Sequence, residues 1–387
     1  MRLFRTLSTS RLVALVTVVA AILVGASIAV AASGTSGPTP PPKPLAAALH
    51  DALSATAPTG VTARIKFTNG LFPSGALTGQ AGSALTSGAS GRLWANADGG
   101  RLELQSDAGD TQVTWNDTKL TVYDASSNTA YVASLPQKPA STQTSDTPPT
   151  LDQITTFLTQ AGAHWAISDA APTNVAGREA YTVTVSPKHD GGLLGSAQLA
   201  WDALNGTPLR LAIYAQGASS PVLALEATDI SFGPVSDSDI DVTPPAGTKI
   251  VDLSSQHTSP NGADIPPVTG LAAVQAAAPY VVVPSSLVGL PLQDVRLVGP
   301  ADDRSALAVY GEGLGAIVVV ERQADASKQE NGSGLDSLPT VSLDGVTAHE
   351  LSTQLGTILA WSRGGVSYVL AGSVATTAAE SAARALG

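Results

Sequence analysis

Apolar and polar residues alternate along the middle of the chain, over residues 175–251. Four segments there carry an apolar side chain at every second position, and turn sequences such as Asn205-Gly206 separate them. A period of two, bounded by Asn-Gly, Asp-Gly and proline, is typical of antiparallel strands with one buried face. No helix of ordinary length fits this stretch. The predicted strands are 180–186, 197–204, 209–216 and 221–232.

Shorter alternating segments fill residues 61–133 and predict a further run of hairpins. Their spacing indicates one continuous, strongly curved sheet. Two stretches have helical spacing instead, residues 45–55 and 151–162, and Thr150 is a candidate N-cap for the second. The predicted strands of this region are 61–67, 91–95, 101–106, 111–115, 119–123 and 129–133.

A separate unit follows a linker at residues 253–274. The chain closes with a predicted helix over 375–386, which has Val374, Ala378 and Ala382 on one face. The predicted strands of this unit are 278–284, 292–297, 306–311, 314–322, 347–351, 357–363 and 366–372. The predicted organisation is an N-terminal apolar segment (1–32), a Pro-rich linker (33–44), a large domain (45–252), the linker, and a small α+β domain (275–387).

The N-terminus predicts export from the cytoplasm. Three arginines precede an apolar run at residues 12–32, and about 20 apolar residues are enough to cross a bilayer. Basic residues before the run, with none after it until Lys43, place the N-terminus inside. Residues 29–31 also have the small-residue form of a signal-peptide cleavage site. The sequence favours one retained span with the body outside the cytoplasm, and secretion after cleavage is the alternative.

Composition excludes several classes of protein. Hydrophobic residues make up 43% of the chain and charged residues 13%, which is not the composition of a disordered protein. A net charge of −11 argues against nucleic-acid binding, because a phosphate backbone needs a basic surface. The absence of cysteine excludes disulfides, thiol nucleophiles, cysteine-ligated metals and the lipidated cysteine of a lipoprotein.

Four motifs of the central region are similar to those of a known family. They are the strand GREAYTV (177–183), the hairpin LAWDALNGTPLRL (199–211), the acidic-aromatic strand 226–232 and the closing segment DVTPPAG (241–247). Together they resemble the LolA-like superfamily of envelope carriers for lipoproteins and lipids, which includes the related domain of RseB/MucB stress sensors. The resemblance covers about residues 45–250. It implies an α+β fold, in which helices cover the open mouth of an incomplete antiparallel β-barrel.

Such a half-closed sheet leaves an apolar concave surface where an acyl chain can replace missing core. The resemblance therefore implies a site for the acyl chains of a lipid or lipoprotein. Ordinary closed core is the alternative explanation of the same alternation. The candidate cavity residues are Leu93, Leu102, Leu104, Val113, Trp115, Val122, Phe157, Trp165, Leu199, Trp201, Leu211 and Ile213.

One turn departs from the family pattern. Carriers of this type often hold an arginine at a hairpin turn near the cavity mouth, where it fixes the lid. The matching turn here is residues 96–99, with the sequence Asn-Ala-Asp-Gly, and it holds no arginine. The sequence of this turn is typical of a purely structural connection.

The C-terminal region carries a second resemblance. The order Trp361, Gly365, Tyr368, Leu370, Gly372 and then a helix resembles the small C-terminal domain of RseB/MucB proteins and related modules of actinobacterial envelope proteins. The resemblance covers about residues 275–387. It implies a membrane protein partner, such as an anti-sigma factor.

Catalytic and metal-binding motifs are missing from the sequence. The five histidines lie in different segments without HxH or HExxH spacing, and no phosphate-binding loop, dinucleotide-binding loop or nucleophile elbow is present. We therefore expect neither catalysis nor a metal or cofactor. Two function classes stay open. One is a carrier that holds acyl chains, and the other is an envelope-stress sensor or regulator that binds a membrane partner.

Overall fold

The protein is described here by a computed structural model that covers residues 37–71, 84–135, 148–253, 268–299, 304–324 and 338–386. The predicted membrane segment lies outside these residues. Within them, no helix has the length and apolar character needed to cross a membrane. The chain divides into two compact units, one built mainly from residues up to 257 and the other mainly from residues 258 onward.

The first unit is a single large sheet with a few helices. Its strands are β1 (Gly60–Asn69), β2 (Ala89–Asn96), β3 (Gly99–Ser106), β4 (Gly109–Asn116), β5 (Lys119–Asp124), β6 (Thr129–Ser134), β7 (Trp165–Ile167), β8 (Ala171–Val175), β9 (Arg178–Pro187), β10 (Leu194–Asp202), β11 (Pro208–Ala215), β12 (Leu223–Phe232) and β13 (Lys249–Asp252). Its helices are α1 (Leu45–Ser54), α2 (Ala84–Ser87), α3 (Leu151–Ala161) and α4 (Asp237–Ile240). All ten strands predicted for this unit are confirmed, whereas β7, β8 and β13 were not predicted.

The strand order explains how two hairpin runs form one sheet. The order is β13-β6-β5-β4-β3-β2-β1-β12-β11-β10-β9-β7, with β8 paired to β9. β1 and β12 join the runs, and their register shifts at Arg64 and Ile65, where a bulge increases the local bend. β13 returns to pair in parallel with β6 at the far edge. The path ends at β13 and β7, so the predicted curled, incomplete barrel of mostly antiparallel strands is confirmed.

Two helices pack on one part of this sheet. Leu45 and Ala48 of α1 are buried against strands β9 and β10, and Leu158 of α3 joins the same cluster. The prediction of Thr150 as the N-cap of α3 is confirmed. The Thr150 side chain accepts a hydrogen bond from the Gln153 N–H, and the Gln153 side chain accepts one from the Thr150 N–H, which forms a capping box.

The second unit is an antiparallel sheet with two helices. Its strands are β14 (Ser286–Leu287), β15 (Leu290–Val298), β16 (Ser305–Tyr310), β17 (Ile317–Gln323), β18 (Thr340–Leu343), β19 (Val346–Thr353), β20 (Gly356–Arg363) and β21 (Val366–Gly372), in the order β14-β15-β16-β17-β21-β20-β19-β18. Its helices are α5 (Leu271–Ala277) and α6 (Thr376–Arg384). Side chains from both helices and the sheet form one buried core.

One prediction for the second unit is wrong, and another is confirmed only in part. Residues 278–284 were predicted to be a strand but follow α5 as a loop. Val281 and Val283 are buried while Val282 is 48% exposed, so burial alternates here as it does in a strand. The Val282 N–H, however, donates to the Glu321 side chain and not to a neighbouring strand. The buried residues of α6 are Ala379, Ala382 and Ala383, so the predicted face is confirmed at Ala382, whereas Val374 and Ala378 are only half-buried.

The capping box yields a testable prediction about α3. Thr150→Ala removes the hydroxyl that accepts the Gln153 N–H, whereas the backbone N–H of residue 150 can still donate to the Gln153 side chain. The loss of the N-cap acceptor should lower the free energy of unfolding by about 0.5–2 kcal/mol in urea denaturation. Thr155→Ala is the matched control, because its hydroxyl only bonds to the Leu151 carbonyl one turn earlier on an exposed position. Equal effects of the two substitutions would contradict a specific role of the cap.

Candidate functional site

The strand register collects apolar side chains on one face of the first sheet. Residues directly opposite one another in an antiparallel pair project to the same face. Val122 lies opposite Val113. Val113 lies opposite Leu102, which in turn lies opposite Leu93. A row of apolar side chains therefore crosses β2–β5, and we call the face that carries it the inner face.

Trp115 extends this row on β4. It lies opposite Gly100 and Leu120. A Cβ atom at Gly100 would lie 2.1 Å from Cζ2 of Trp115, so the indole rests directly on this glycine. Leu104 is on the same face of β3, where it is buried beside Ala84 of α2. Gly100 therefore makes room for the large Trp115 side chain on the inner face.

The inner face continues across the joined hairpin runs. Phe67 on β1 lies opposite Leu225 on β12, and Leu225 lies opposite Leu211 on β11. Ile213 is two residues from Leu211 and shares its face. Leu225 is 38% exposed. Apolar side chains thus line the inner face on both sides of the β1–β12 junction.

Strands β9 and β10 complete this face under α1. Leu199 lies opposite Val183, and Trp201 lies opposite Tyr181. The Tyr181 and Trp201 rings are 6.2 Å apart between centroids. Leu211 packs in the same cluster. The register therefore places the predicted residues of β10 and β11 on one continuous surface with those of β2–β5.

Two candidates lie outside the main strands. Phe157 on α3 is 36% exposed, whereas Ile154 on the same helix is buried. Trp165 lies opposite Pro187 on the edge strand β7, and Ile167, two residues on, lies opposite Val185. Ile167 and Val185 pack against the α1 cluster, so Trp165 belongs to the edge of the inner face.

Burial divides the twelve candidates into two groups. Four are closed core: Leu104, Leu199, Trp201 and Ile213, each at most 8% exposed. Seven are half-buried: Leu93, Leu102, Val113, Trp115, Val122, Trp165 and Leu211. Phe157 is the exposed one. Leu199 and Trp201 lie under α1, and Leu104 lies beside α2, so the part of the inner face that is accessible to a ligand is centred on β2–β5.

Sequence reasoning missed two residues of this surface. Tyr131 on β6 is 41% exposed and lies opposite Val122, so it extends the apolar row by one strand. Leu225 was missed on β12, where the bulge beside Ile65 changes the phase of the alternation against β1. Extending the alternation from Val122 to its predicted hairpin partner could have found Tyr131.

A groove of about 560 Å³ opens at the rim of the same sheet, at the ends of β1 and β3. Phe67 and Ala89 supply apolar walls from the inner face. The polar part of the lining includes Lys66, Asn69, Gln105 and Asp107. The groove is therefore amphipathic and adjoins the apolar row.

The turn that lacks the family arginine is held by its own asparagine. Asn96 Oδ1 accepts hydrogen bonds from the N–H groups of Asp98 (2.9 Å) and Gly99 (3.2 Å). Asn96 Nδ2 donates to Asp237 Oδ1 at 3.0 Å. These bonds fix the turn between β2 and β3 and attach it to α4, which agrees with a structural role.

The second unit contains a carboxyl group inside its core. Glu321 is 1% exposed, and its Oε2 accepts a hydrogen bond from the Val282 N–H at 2.7 Å. Its Oε1 has no hydrogen-bond partner. Burial raises the pKa of Glu321 to about 7, and the single N–H bond opposes this shift. Burial, and secondarily the charge of Glu321, also raise the pKa values of Tyr310 and Tyr368.

The described ranges contain no cluster of metal-ligating side chains. No group of three or more His, Asp or Glu residues there is arranged to hold a metal ion. The candidate site is thus made of apolar contact surface and a polar rim.

No family model matches the chain, and no curated protein is significantly similar to it. Among solved structures, MucB in complex with MucA(peri) is 13% identical with a TM-score of 0.44, over 88% of this chain and 97% of that one. The Pseudomonas aeruginosa MucA/MucB complex matches at 14% identity and TM-score 0.44, over 88% and 96%. A putative outer membrane lipoprotein-sorting protein domain from Vibrio parahaemolyticus matches at 11% and 0.20, over 51% and 94%.

These neighbours are of the two kinds that the sequence motifs resemble. The strand order and register given above define the fold of each unit.

Glu321 makes stability depend on pH. Its folded pKa of about 7 exceeds its ordinary value of 4.5, so the folded state binds the proton more tightly. Stability should therefore fall as pH rises from about 4.5 to about 7 and stay low above that range. Glu321→Gln should remove this slope and raise the melting temperature at pH 8. Glu312→Gln, on an exposed turn, is the control with the same change of charge. Parallel melting profiles of wild type and Glu321→Gln would contradict the assignment.

Proposed function

We propose that the first unit binds an acyl chain of a lipid or lipoprotein on the inner face, at a membrane and outside the cytoplasm. The observation that carries the proposal is the row of half-buried apolar side chains across β2–β5, next to an amphipathic groove. Concave, mostly apolar surfaces with a few polar groups at the rim are typical of small-molecule sites.

The energetics of this surface suit an alkyl chain. Each methylene buried against it contributes about 0.8 kcal/mol, and apolar contact has no strict directional requirement. The neighbouring closed part, under α1, gives the surface a rigid support. A carboxylate, ester or phosphate head group of the ligand can stay at the rim, beside Lys66 and Asn69. Reversible binding and handover need no catalysis, and we propose no enzymatic step.

The location follows from the sequence. The apolar run at residues 12–32, with arginines before it, anchors the chain in the membrane or directs its secretion. The resemblance of the central motifs to the LolA-like superfamily supports the same extracytoplasmic setting.

A regulatory role is the second candidate, in which the second unit binds a membrane protein such as an anti-sigma factor. Val288 favours it. This β-branched residue has φ +44° in the tight turn between β14 and β15 and is 43% exposed. Backbone strain of this kind persists only where something compensates for it, and it concentrates at functional positions.

A photo-crosslinking amino acid at position 288 in the native host tests this role, and a single cross-linked membrane protein is the result it predicts.

Adjacent residues of β4 provide the test of acyl binding. Val113→Glu places a charge on the inner face and should weaken binding of a fluorescent long-chain fatty acid by about tenfold or more, because burying an unpaired charge costs more than 1.4 kcal/mol. Thr114→Glu is the matched control, since Thr114 projects to the opposite face beside Arg101. Equal affinities of the two variants, or no binding by the wild type, would contradict the proposal.

A further inference from the structure

The Pro-rich segment that precedes α1 is bound to the first unit. Asn174 Nδ2 donates a hydrogen bond to the Pro38 carbonyl at 2.8 Å, and the Tyr181 hydroxyl donates one to the Pro41 carbonyl at 2.7 Å. Pro40 between them is buried. Residues 37–44 are therefore anchored along β8 and β9, and we call them the N-terminal strap.

Close contacts at both ends fit the strap to this position. A Cβ atom at Gly37 would lie 2.5 Å from Asn174 Nδ2, so only glycine fits without a shift. The backbone of Lys43 forms an isolated antiparallel β-bridge with Ala170, and its side chain forms an ion pair with Asp51 of α1 at 2.5 Å. Prolines fix φ near −65° and favour an extended, stiff chain without internal hydrogen bonds. The Asn174 and Tyr181 donors thus recognise carbonyls that such a chain leaves free.

The docking shortens the chain that connects the apolar run to the body. Residues 33–37 lie between the end of that run at Ala32 and the first anchored residue, Pro38. At 3.3–3.6 Å per residue this stretch spans about 20 Å at most, whereas a free connection as far as Pro44 would span about 40 Å.

We propose that docking of the N-terminal strap leaves only a short tether between the apolar run and the body, and that this tether holds the β8/β9 edge of the first unit close to a lipid surface. The proposal rests on the function proposed above and, within it, on the case in which the apolar run is retained as a membrane segment. The strap leads directly into α1, so this edge carries both the tether and the helix that covers the closed part of the inner face. Acyl chains would then be taken up beside the membrane that supplies them, without diffusion of the protein.

The native chain has no cysteine, so one introduced cysteine gives one labelling site. Full-length protein in liposomes receives a fluorophore at Ala171→Cys, an exposed position of β8, or at Ala125→Cys, an exposed turn beside β6. Spin-labelled lipid head groups then quench fluorophores near the bilayer. We expect severalfold stronger quenching at position 171 than at position 125. A flexible ten-residue insertion after Gly34 should abolish this difference while the strap contacts stay intact.

A second variant separates docking from chain length. Asn174→Ala with Tyr181→Phe removes both donors to the strap and should reduce quenching at position 171, with circular dichroism confirming that the sheet is intact. Equal quenching at both positions, no effect of the insertion, or a mature N-terminus after Ala31 would overturn the tether. Fatty-acid binding by the same full-length samples is measured in parallel. If the quenching difference is absent but fatty acid still binds, the tether is rejected and the proposed function stands. If the quenching difference is present but no fatty acid binds, the proposed function alone is rejected.

Discussion

The inner face of the first unit is wider than the helices that pack on it, and the rest of the structure of this unit depends on that difference. Apolar side chains lie on the same face of every strand along the path from β6 to β9. The helices α1 and α3 cover mainly the β9–β11 side of that face. Trp201 is therefore 3% exposed, whereas Leu225 is 38% exposed and Tyr131 is 41% exposed. Apolar surface that stays in contact with water is unfavourable unless another molecule covers it. The same alternation that builds the core thus also leaves the surface to which we assign the ligand.

The two units solve the problem of burial differently. In the second unit, α5, α6 and the loop after α5 close the core over one face of the sheet. Its exception is Glu321, whose single hydrogen bond holds the loop at Val282. A buried carboxyl in an apolar core reduces stability when it ionises. The second unit therefore combines a closed core with a position that responds to pH, and the first combines an open face with a docked N-terminal strap.

Much of this fold could be predicted because most strands pair with a sequence neighbour. The hairpins of β2–β6 and β9–β12 show local alternation and turn residues, and helical spacing with an N-cap identified α3. Elements whose hydrogen-bond partners are distant in sequence, or are side chains, were not predicted correctly. β13 has four residues and pairs with β6 far away in sequence. The loop at Val281–Val283 alternates like a strand, but its central N–H bonds to Glu321. Local pattern carries no information about either partner.

The candidate site was predictable in its face but not in its extent. Alternation placed Val113 and Leu199 on equivalent positions of their strands, and the register puts both side chains on the inner face. Which of them is covered depends on where α1 packs, and that is decided by tertiary contacts such as Leu45 against β9 and β10. The Pro-rich strap shows the same limit, because its composition indicates stiffness, whereas its docking depends on Asn174 and Tyr181.

Native mass spectrometry of the full-length protein, purified from its own membrane with mild detergent and followed by lipid extraction, detects a ligand on the inner face without a choice of probe. We expect one acylated ligand bound at close to stoichiometric amount, lost from Val113→Glu and kept by Thr114→Glu. A stable wild-type protein that carries no acylated ligand under the same conditions would contradict it and would turn attention to the second unit.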